Sequence, residues 1–284
     1  MKVLITGKYS FVGNYVGPYL ENKDHQVEYI SLKDNRWLEK NFSIYDVILH
    51  VAGIAHVSYK SKDRNLYDEI NHQLTKKVAL KAKKEGVKQF IFLSSMIVYH
   101  PKEPKITEKT QPNPKGPYAL SKLNAENALE ELRSDDFNIA ILRPSMIYGP
   151  GNKGNIPRLI KLMNKIRLFP RFNNQRSFLF VGNLAEAIQQ VMTNKFSGIF
   201  HLADEKSIST TKLVETIGNH LNKKVNFTRL FNPFIYLVRP WFTTFQKLFG
   251  NYYYDSALIK HSFDYHHYPL NEAIKMTLKG ESHG

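Results

Sequence analysis

The chain contains no cysteine. Disulfides, a thiolate nucleophile and any cysteine-ligated zinc or iron–sulfur site are thereby excluded. No apolar run approaches the roughly 18 residues that a bilayer-spanning helix needs, so no transmembrane helix is expected. No long apolar signal segment stands before the strand-like Val3-Leu4-Ile5-Thr6, and a cytoplasmic location is the expectation. His266-His267 lacks companion ligands at useful spacing, so no metal site is expected. Acidic residues are the scarce charge: 25 Asp and Glu face 40 Lys and Arg, leaving +15. Such a surplus points to an anionic partner, which nucleic acid, a membrane surface or a phosphorylated small molecule would satisfy. Lys76, Lys77, Lys81, Lys83 and Lys84 are spread along a helical stretch and read as a solvated face. No DNA-binding motif, repeat or low-complexity linker occurs, and a nucleic-acid role is not expected.

What is present is enough apolar material for a sizeable core. Hydrophobic residues make up 42% of 284 residues against 23% charged, which rules out wholesale disorder. Residues 3–6, 27–32, 47–52, 90–94 and 139–142 read as buried strands, being short and rich in Val, Ile, Leu and Phe. Residues 11–22, 67–85 and 118–133 read as helices; Leu74, Val78 and Ala82 recur on one helical face. Pro18 is awkward inside the first of these. Strand–helix alternation predicts an α/β fold with a doubly wound parallel sheet. Beyond 145–150 the pattern loosens, with helices at 155–169, 184–192 and 210–221 and strands at 177–181 and 198–203. The expected division is a dinucleotide-binding region at 1–148 and a mainly substrate-binding region at 149–284, with some later elements returning to the main sheet.

Thr6-Gly7-Lys8-Tyr9-Ser10-Phe11-Val12-Gly13 lies between the first strand and the first helix. A pyrophosphate needs a tight turn, close backbone approach and a helix N-terminus with free N–H groups. Gly7 and Gly13 fit the outer glycines of Gly-x-x-Gly-x-x-Gly, Ser10 replaces the middle one, and Phe11 and Val12 open the helix. At the second strand an acid would hold the ribose of NAD, whereas basic residues favour the 2′-phosphate of NADP. That strand ends Ser31-Leu32-Lys33, with Arg36 nearby and Asp34 the only close acid. NADP is therefore favoured, with NAD the alternative.

Tyr118 and Lys122 stand four apart on one helix face. Free tyrosine has a pKa near 10, and a neighbouring cation lowers it toward use as a base. The same spacing at Tyr19/Lys23 and Tyr29/Lys33 lacks the context, because Tyr118 follows the loop Asn113-Pro114-Lys115-Gly116-Pro117 after the fourth strand. Ser94 and Ser95 close that strand at its carboxyl end, where open α/β sheets bind ligands, and a hydroxyl there can share a proton with a substrate oxygen.

Together these residues resemble the extended short-chain dehydrogenases/reductases that act on nucleotide sugars. The likeness also takes in Asp46-Val47-Ile48-Leu49-His50-Val51-Ala52-Gly53, Ser94-Ser95-Met96-Ile97-Val98-Tyr99 and Leu142-Arg143-Pro144-Ser145-Met146-Ile147-Tyr148-Gly149-Pro150. Within that family the chain looks most like capsule and surface-polysaccharide enzymes of Gram-positive bacteria, UDP-sugar 4-epimerases or 4-ketoreductases. The resemblance implies a Rossmann-type fold, Tyr118 as acid/base, Lys122 as its partner and Ser95 as the catalytic hydroxyl. It implies Ser94, Ala52, Gly53, Pro144 and Ser145 beside the cofactor, and Met96, Asn155 and Arg176 with Ser95 and Tyr118 on the substrate. Departures are Ser10 in the loop, Met146 where some epimerases have asparagine, and Asn183 where an aspartate is usual; Arg239 and Lys260 are the only candidates for a second diphosphate cation.

The expected reaction is reduction of a UDP-4-keto-hexose by NADPH. A 4-epimerase holding NAD is the alternative, and a non-catalytic NADP-binding regulator is a third reading. Expected partners are a UDP-sugar and a second copy of the chain. The aromatic and basic stretch 227–254 reads first as substrate region or dimer face, and second as a peripheral membrane contact.

Overall fold

A computed structural model describes residues 1–7, 9–55, 63–163 and 165–281. Strand β1 (Lys2–Thr6) leads to helix α1 (Phe11–Glu21), β2 (Gln26–Ile30) and β3 (Val47–His50). Helices α2 (Asp63–Asp68) and α3 (Leu74–Lys84) follow, then β4 (Gln89–Leu93), the short β5 (Lys105–Ile106), α4 (Pro117–Glu130) and β6 (Asn138–Pro144). The second half continues as β7 (Met146–Tyr148), α5 (Asn155–Met163), β8 (Leu168–Pro170), β9 (Phe178–Phe180), α6 (Val181–Thr193) and β10 (Gly198–Leu202). It ends with α7 (Thr210–His220), β11 (Asn226–Thr228), α8 (Asn232–Val238), α9 (Thr243–Phe249), β12 (Tyr253–Tyr254) and α10 (Leu270–Glu281).

The apolar runs predicted as strands pair into one parallel sheet of order β10-β6-β4-β3-β1-β2. The side chains of the four inner strands, β6, β4, β3 and β1, are buried on both faces, the condition for a parallel sheet covered by helices. On one face Val3, Ile5 and Leu49 pack with Val16 and Leu20 of α1 and Leu184 and Ile188 of α6. On the other, Leu4, Ile48 and Phe90 pack with Val78 and Ala82 of α3 and Ala125 and Leu129 of α4. A further core joins Ile156, Ile160 and Phe178 to Ile217 and Ile274.

Four local readings change. The helix expected at 155–169 ends at Met163, because residues 168–170 pair in parallel with β11 and Pro170 disfavours helical geometry before it. The helix expected from 67 begins at Asp63 and holds a π-turn at Glu69–Gln73. Helix α1 runs through Pro18, which lacks the N–H needed to reach Asn14. The aromatic stretch forms the short pair α8–α9 between two strands. No described helix is long and apolar enough to cross a membrane.

Candidate active site

Strand order reverses at β1, whose neighbours are β2 and β3. Ligand crevices of open α/β sheets lie beyond such a switch, at the carboxyl ends of the strands. Gly7 follows β1 at φ +87°, and a Cβ there would lie 3.0 Å from backbone atoms of Ala52. Both conformation and close approach therefore require glycine. The Gly7 N–H donates to the Ile30 carbonyl at 3.1 Å, tying the loop to the tip of β2. The Ser10 hydroxyl oxygen caps α1 by accepting the Gly13 N–H at 2.9 Å, so it stabilises the loop itself while its proton stays available. A side chain at Gly13 would meet that oxygen at 2.8 Å. Phe11 and Val12 are the first helical residues, whose amides have no intrahelical acceptor and attract an anion. Lys8 lies outside the described residues.

At the tip of β2 the Ser31 hydroxyl accepts the Lys33 N–H at 3.3 Å. Asp34 accepts both the backbone N–H and the guanidinium of Arg36, and that partner holds its carboxyl below the usual range. The nearest acid is thus engaged along its own chain. Lys33 is exposed, with its ammonium 6.0 Å from the centre of the Tyr9 ring.

Helix α4 starts from Gly116 at φ +89° and Pro117, a residue preorganised for a first turn. That start sets Tyr118 against Tyr67, with ring centres 6.0 Å apart, and within a hydrogen bond of Ser95. Ser95 also accepts the Ile97 N–H at 3.3 Å, capping the turn Met96–Val98. Burial pushes the Tyr118 phenol up to about 12, reinforced by Tyr67 and opposed by the Ser95 bond. One helical turn on, the buried Lys122 donates to the Leu93 carbonyl at 2.9 Å and stands 4.6 Å from the centre of the Phe92 ring. Burial pulls its pKa down to about 8, with Glu126 opposing. The Lys122 ammonium is turned to the Leu93 carbonyl, and burial keeps the Tyr118 phenol protonated at neutral pH.

Lys122 also closes on the strand-end pair, since a Cβ at Gly53 would lie 3.4 Å from its nitrogen and 2.9 Å from Asn71 Oδ1. Asn71, fully buried on the π-turn, accepts from the Ile54 N–H and donates to the Ile54 carbonyl and Ser121. Behind the serines lies a polar cluster that sequence reasoning missed. Ser94 donates to Glu126; Arg143 reaches Glu126 at 2.6 Å and donates to the Tyr99 hydroxyl at 2.6 Å; Tyr99 bonds His201 at 2.7 Å. Ser94 thus turns its hydroxyl into this cluster. Met96 is buried with Val98, Tyr99 and Ile106. Pro144 ends β6, and the next residue, Ser145, donates its N–H to Leu202 at 2.8 Å. The buried Ser145 hydroxyl has no partner among the described residues, which costs about 1–3 kcal/mol unless a polar group meets it.

Arg176 is 7% exposed. Its backbone bridges Ile208 and Tyr252, and its guanidinium donates to the Gly250 carbonyl at 3.3 Å. Among the described residues no carboxylate lies within ion-pair distance of it, and burial draws its pKa down to about 10. A buried cation without a counter-ion is costly, and a bound phosphate would relieve that cost. Asn155 is exposed at the start of α5 and shares no described hydrogen bond with Arg176. Arg239 donates to the Phe249 carbonyl and stacks on Tyr236, while Lys260 is exposed. Asn183 has a structural part: it donates to Asp204 and the Tyr268 carbonyl and accepts from the Tyr268 N–H. Among the described residues no group of three His, Asp or Glu could hold a metal.

The parallel sheet with flanking helices, and its glycine turn at the end of β1, give a Rossmann-like fold. The chain belongs to the NAD dependent epimerase/dehydratase family, whose model matches residues 3–203. It is 28% identical over 234 residues to an N-acetyl-alpha-D-glucosaminyl-diphospho-ditrans,octacis-undecaprenol 4-epimerase of Escherichia coli O157:H7, covering 80% of this chain and 70% of that one. The UDP-glucose 4-epimerase of Thermus thermophilus, solved with NAD, superposes with a TM-score of 0.76 at 19% identity, over 99% and 98% of the two chains. The dTDP-4-dehydrorhamnose reductase of Bacillus anthracis, solved with NADP, gives 0.68 at 22% identity, over 80% and 82%.

Proposed function

We propose that the protein is an NAD(P)-dependent oxidoreductase acting at C4 of a UDP-hexose, and that its reaction is reduction of a UDP-4-keto-sugar for surface polysaccharide precursors. The observation that carries the reading is the protonated Tyr118 phenol, set near Ser95 beside a crevice whose glycines fit a dinucleotide. The fit is independent of the family likeness: Gly7 and Gly13 leave no room for a Cβ, and Ser145 keeps an unpartnered hydroxyl. Gly7, Ser10, Phe11, Val12 and Gly13 would hold the pyrophosphate, Ser31 and Lys33 the adenosine ribose, and Ala52, Gly53, Lys122, Pro144 and Ser145 the nicotinamide half. When bound, the nicotinamide supplies two electrons and a hydrogen to the carbonyl carbon.

The chain's own residues do the rest. Ser95 orients the sugar oxygen, and Tyr118 gives its proton to that oxygen as the carbonyl becomes an alcohol. A phenol near 12 is fully protonated at working pH and ready to act as the acid. Lys122 compensates the phenolate left behind. Arg176 supplies the buried positive charge for the diphosphate. Lys33, with Asp34 engaged by Arg36, favours a 2′-phosphate and hence an exchangeable NADPH.

A second reading, 4-epimerisation with retained NAD, is favoured by the relative named as a 4-epimerase. The deciding experiment offers the purified protein UDP-sugars and UDP-4-keto sugars with NADH and NADPH in parallel. NADPH consumption on a UDP-4-keto sugar is the expected result. Stoichiometric bound NAD, with C4 epimers forming from UDP-GlcNAc or UDP-Glc without added cofactor, would replace reduction by epimerisation.

A further inference from the structure

Seven of the fifteen large apolar side chains exposed among the described residues fall between positions 230 and 242. Phe234 and Leu237 lie on α8, and Leu230 and Trp241 sit in the turns on either side of it. Leu230, Phe234, Leu237 and Trp241, spaced four, three and four apart, are 79%, 60%, 71% and 83% exposed. The opposite side of α8 is already satisfied, with Ile235 only 2% exposed in the core that includes Phe249. Helix α8 with its flanking turns therefore has two apolar sides, one packed and one facing solvent, and α9 continues the packed side. Monomeric proteins rarely leave so concentrated an apolar surface unpartnered.

The charge around it is one-sided. From Glu215 to Asp255 the sequence has no acidic residue between them, yet it holds Lys223, Lys224, Arg229, Arg239 and Lys247. Arg229 directly precedes Leu230 in the chain and Lys247 lies on α9, and both are exposed. An apolar ridge tipped by tryptophan and flanked by cations suits the interface of a bilayer with anionic headgroups: aromatics enter the headgroup layer and the cations meet its phosphates. A soluble protein partner or a second copy has no need of such a charge bias.

We propose that α8–α9 and its flanks form a peripheral docking surface for an anionic phospholipid bilayer. The anchor is interfacial, independent of whichever C4 reaction the enzyme performs. Helix α9 ends at Phe249, immediately before the Gly250 carbonyl that takes the Arg176 guanidinium, so the docked surface is continuous with the anion-holding strand.

The test uses the whole chain and vesicles of phosphatidylcholine with or without phosphatidylglycerol. Trp241 is exposed and the other tryptophan, Trp37, is buried, so docking reads as a blue shift from one side chain. Cosedimentation with phosphatidylglycerol vesicles at low salt is expected, weakening at about 0.5 M salt as headgroup charge is screened. L237E/W241E should bind at least tenfold less, and R229E/K247E should lose the preference for anionic vesicles. Far-UV circular dichroism and the emission of Trp37 confirm folding, and R229E/K247E leaves the apolar ridge intact should the first variant fail to fold. Absent vesicle binding overturns the proposal, as does binding unchanged in R229E/K247E or equal on neutral vesicles. A wild-type dimer that L237E/W241E converts to monomer, without lipid binding, would assign the surface to a second copy instead.

Discussion

Replacing Lys122 by methionine should make the protein more stable while it abolishes the reaction. Burial lowers the lysine from 10.5 to about 8, a shift of about 2.5 units or ~3 kcal/mol at pH 7. The direction follows from proton binding: between 8 and 10.5 the unfolded chain holds the proton and the folded one does not, so stability rises with pH across that window. Below 8 both states are protonated and the full ~3 kcal/mol penalty persists. Methionine removes the buried charge but leaves the Leu93 carbonyl without its donor, a loss of about 1–2 kcal/mol. The net expectation at pH 7 is a gain of about 1–2 kcal/mol. By pH 9.5 the wild-type penalty has shrunk to ~1.4 kcal/mol, so the advantage of K122M falls by ~2 kcal/mol between the two pH values. Urea unfolding of both proteins at pH 7 and 9.5 measures this. A difference that does not change with pH, or a K122M protein less stable at pH 7, would refute the reasoning.

Tyr118→Phe should keep the KM for sugar and lower kcat by about 10²–10⁴-fold, as loss of a positioned general acid does; steady-state kinetics on the productive UDP-sugar decide it. Arg176→Met should raise the KM for that substrate about 100-fold, from two lost charged hydrogen bonds to phosphate. Its melting temperature should stay level or rise, because the guanidinium has no carboxylate partner among the described residues; a large fall in melting temperature would show the arginine to be structural. Lys33→Ala should shift the ratio of kcat/KM for NADPH over NADH toward NADH by about two- to fivefold, the worth of one exposed charge pair to a phosphate.

Legibility in the sequence tracked distance along the chain. The strands of the central sheet and the helix carrying Tyr118 and Lys122 are local patterns, and local spacing reveals them. Ser95 is readable because it ends an apolar run. The cluster behind it is not, since Glu126, Arg143, Tyr99 and His201 meet across separations of 17, 44 and 102 residues. Nothing in the segment Leu142-Arg143-Pro144 says that the arginine turns to a glutamate on α4. Asn71 was invisible for a related reason: its place on a π-turn shifts the helical phase by one residue, and an asparagine in a helical run reads as surface. How deeply the phenol is buried was not legible, because burial depth is a tertiary quantity, whereas the four-residue spacing to lysine is a sequence quantity. Residues 168–170 misled because their strand partner lies 58 residues away, at Asn226–Thr228.

The Tyr252 phenol donates to the carbonyls of both Met96 and Tyr99, while its backbone bridges Arg176 and accepts from Ser177. One side chain thus bolts the guanidinium's strand to the turn that starts at Ser95. On the proposed function, this frame holds the Arg176 cation at a fixed reach from the Ser95 hydroxyl, so the spacing of the two does not depend on either residue's own loop.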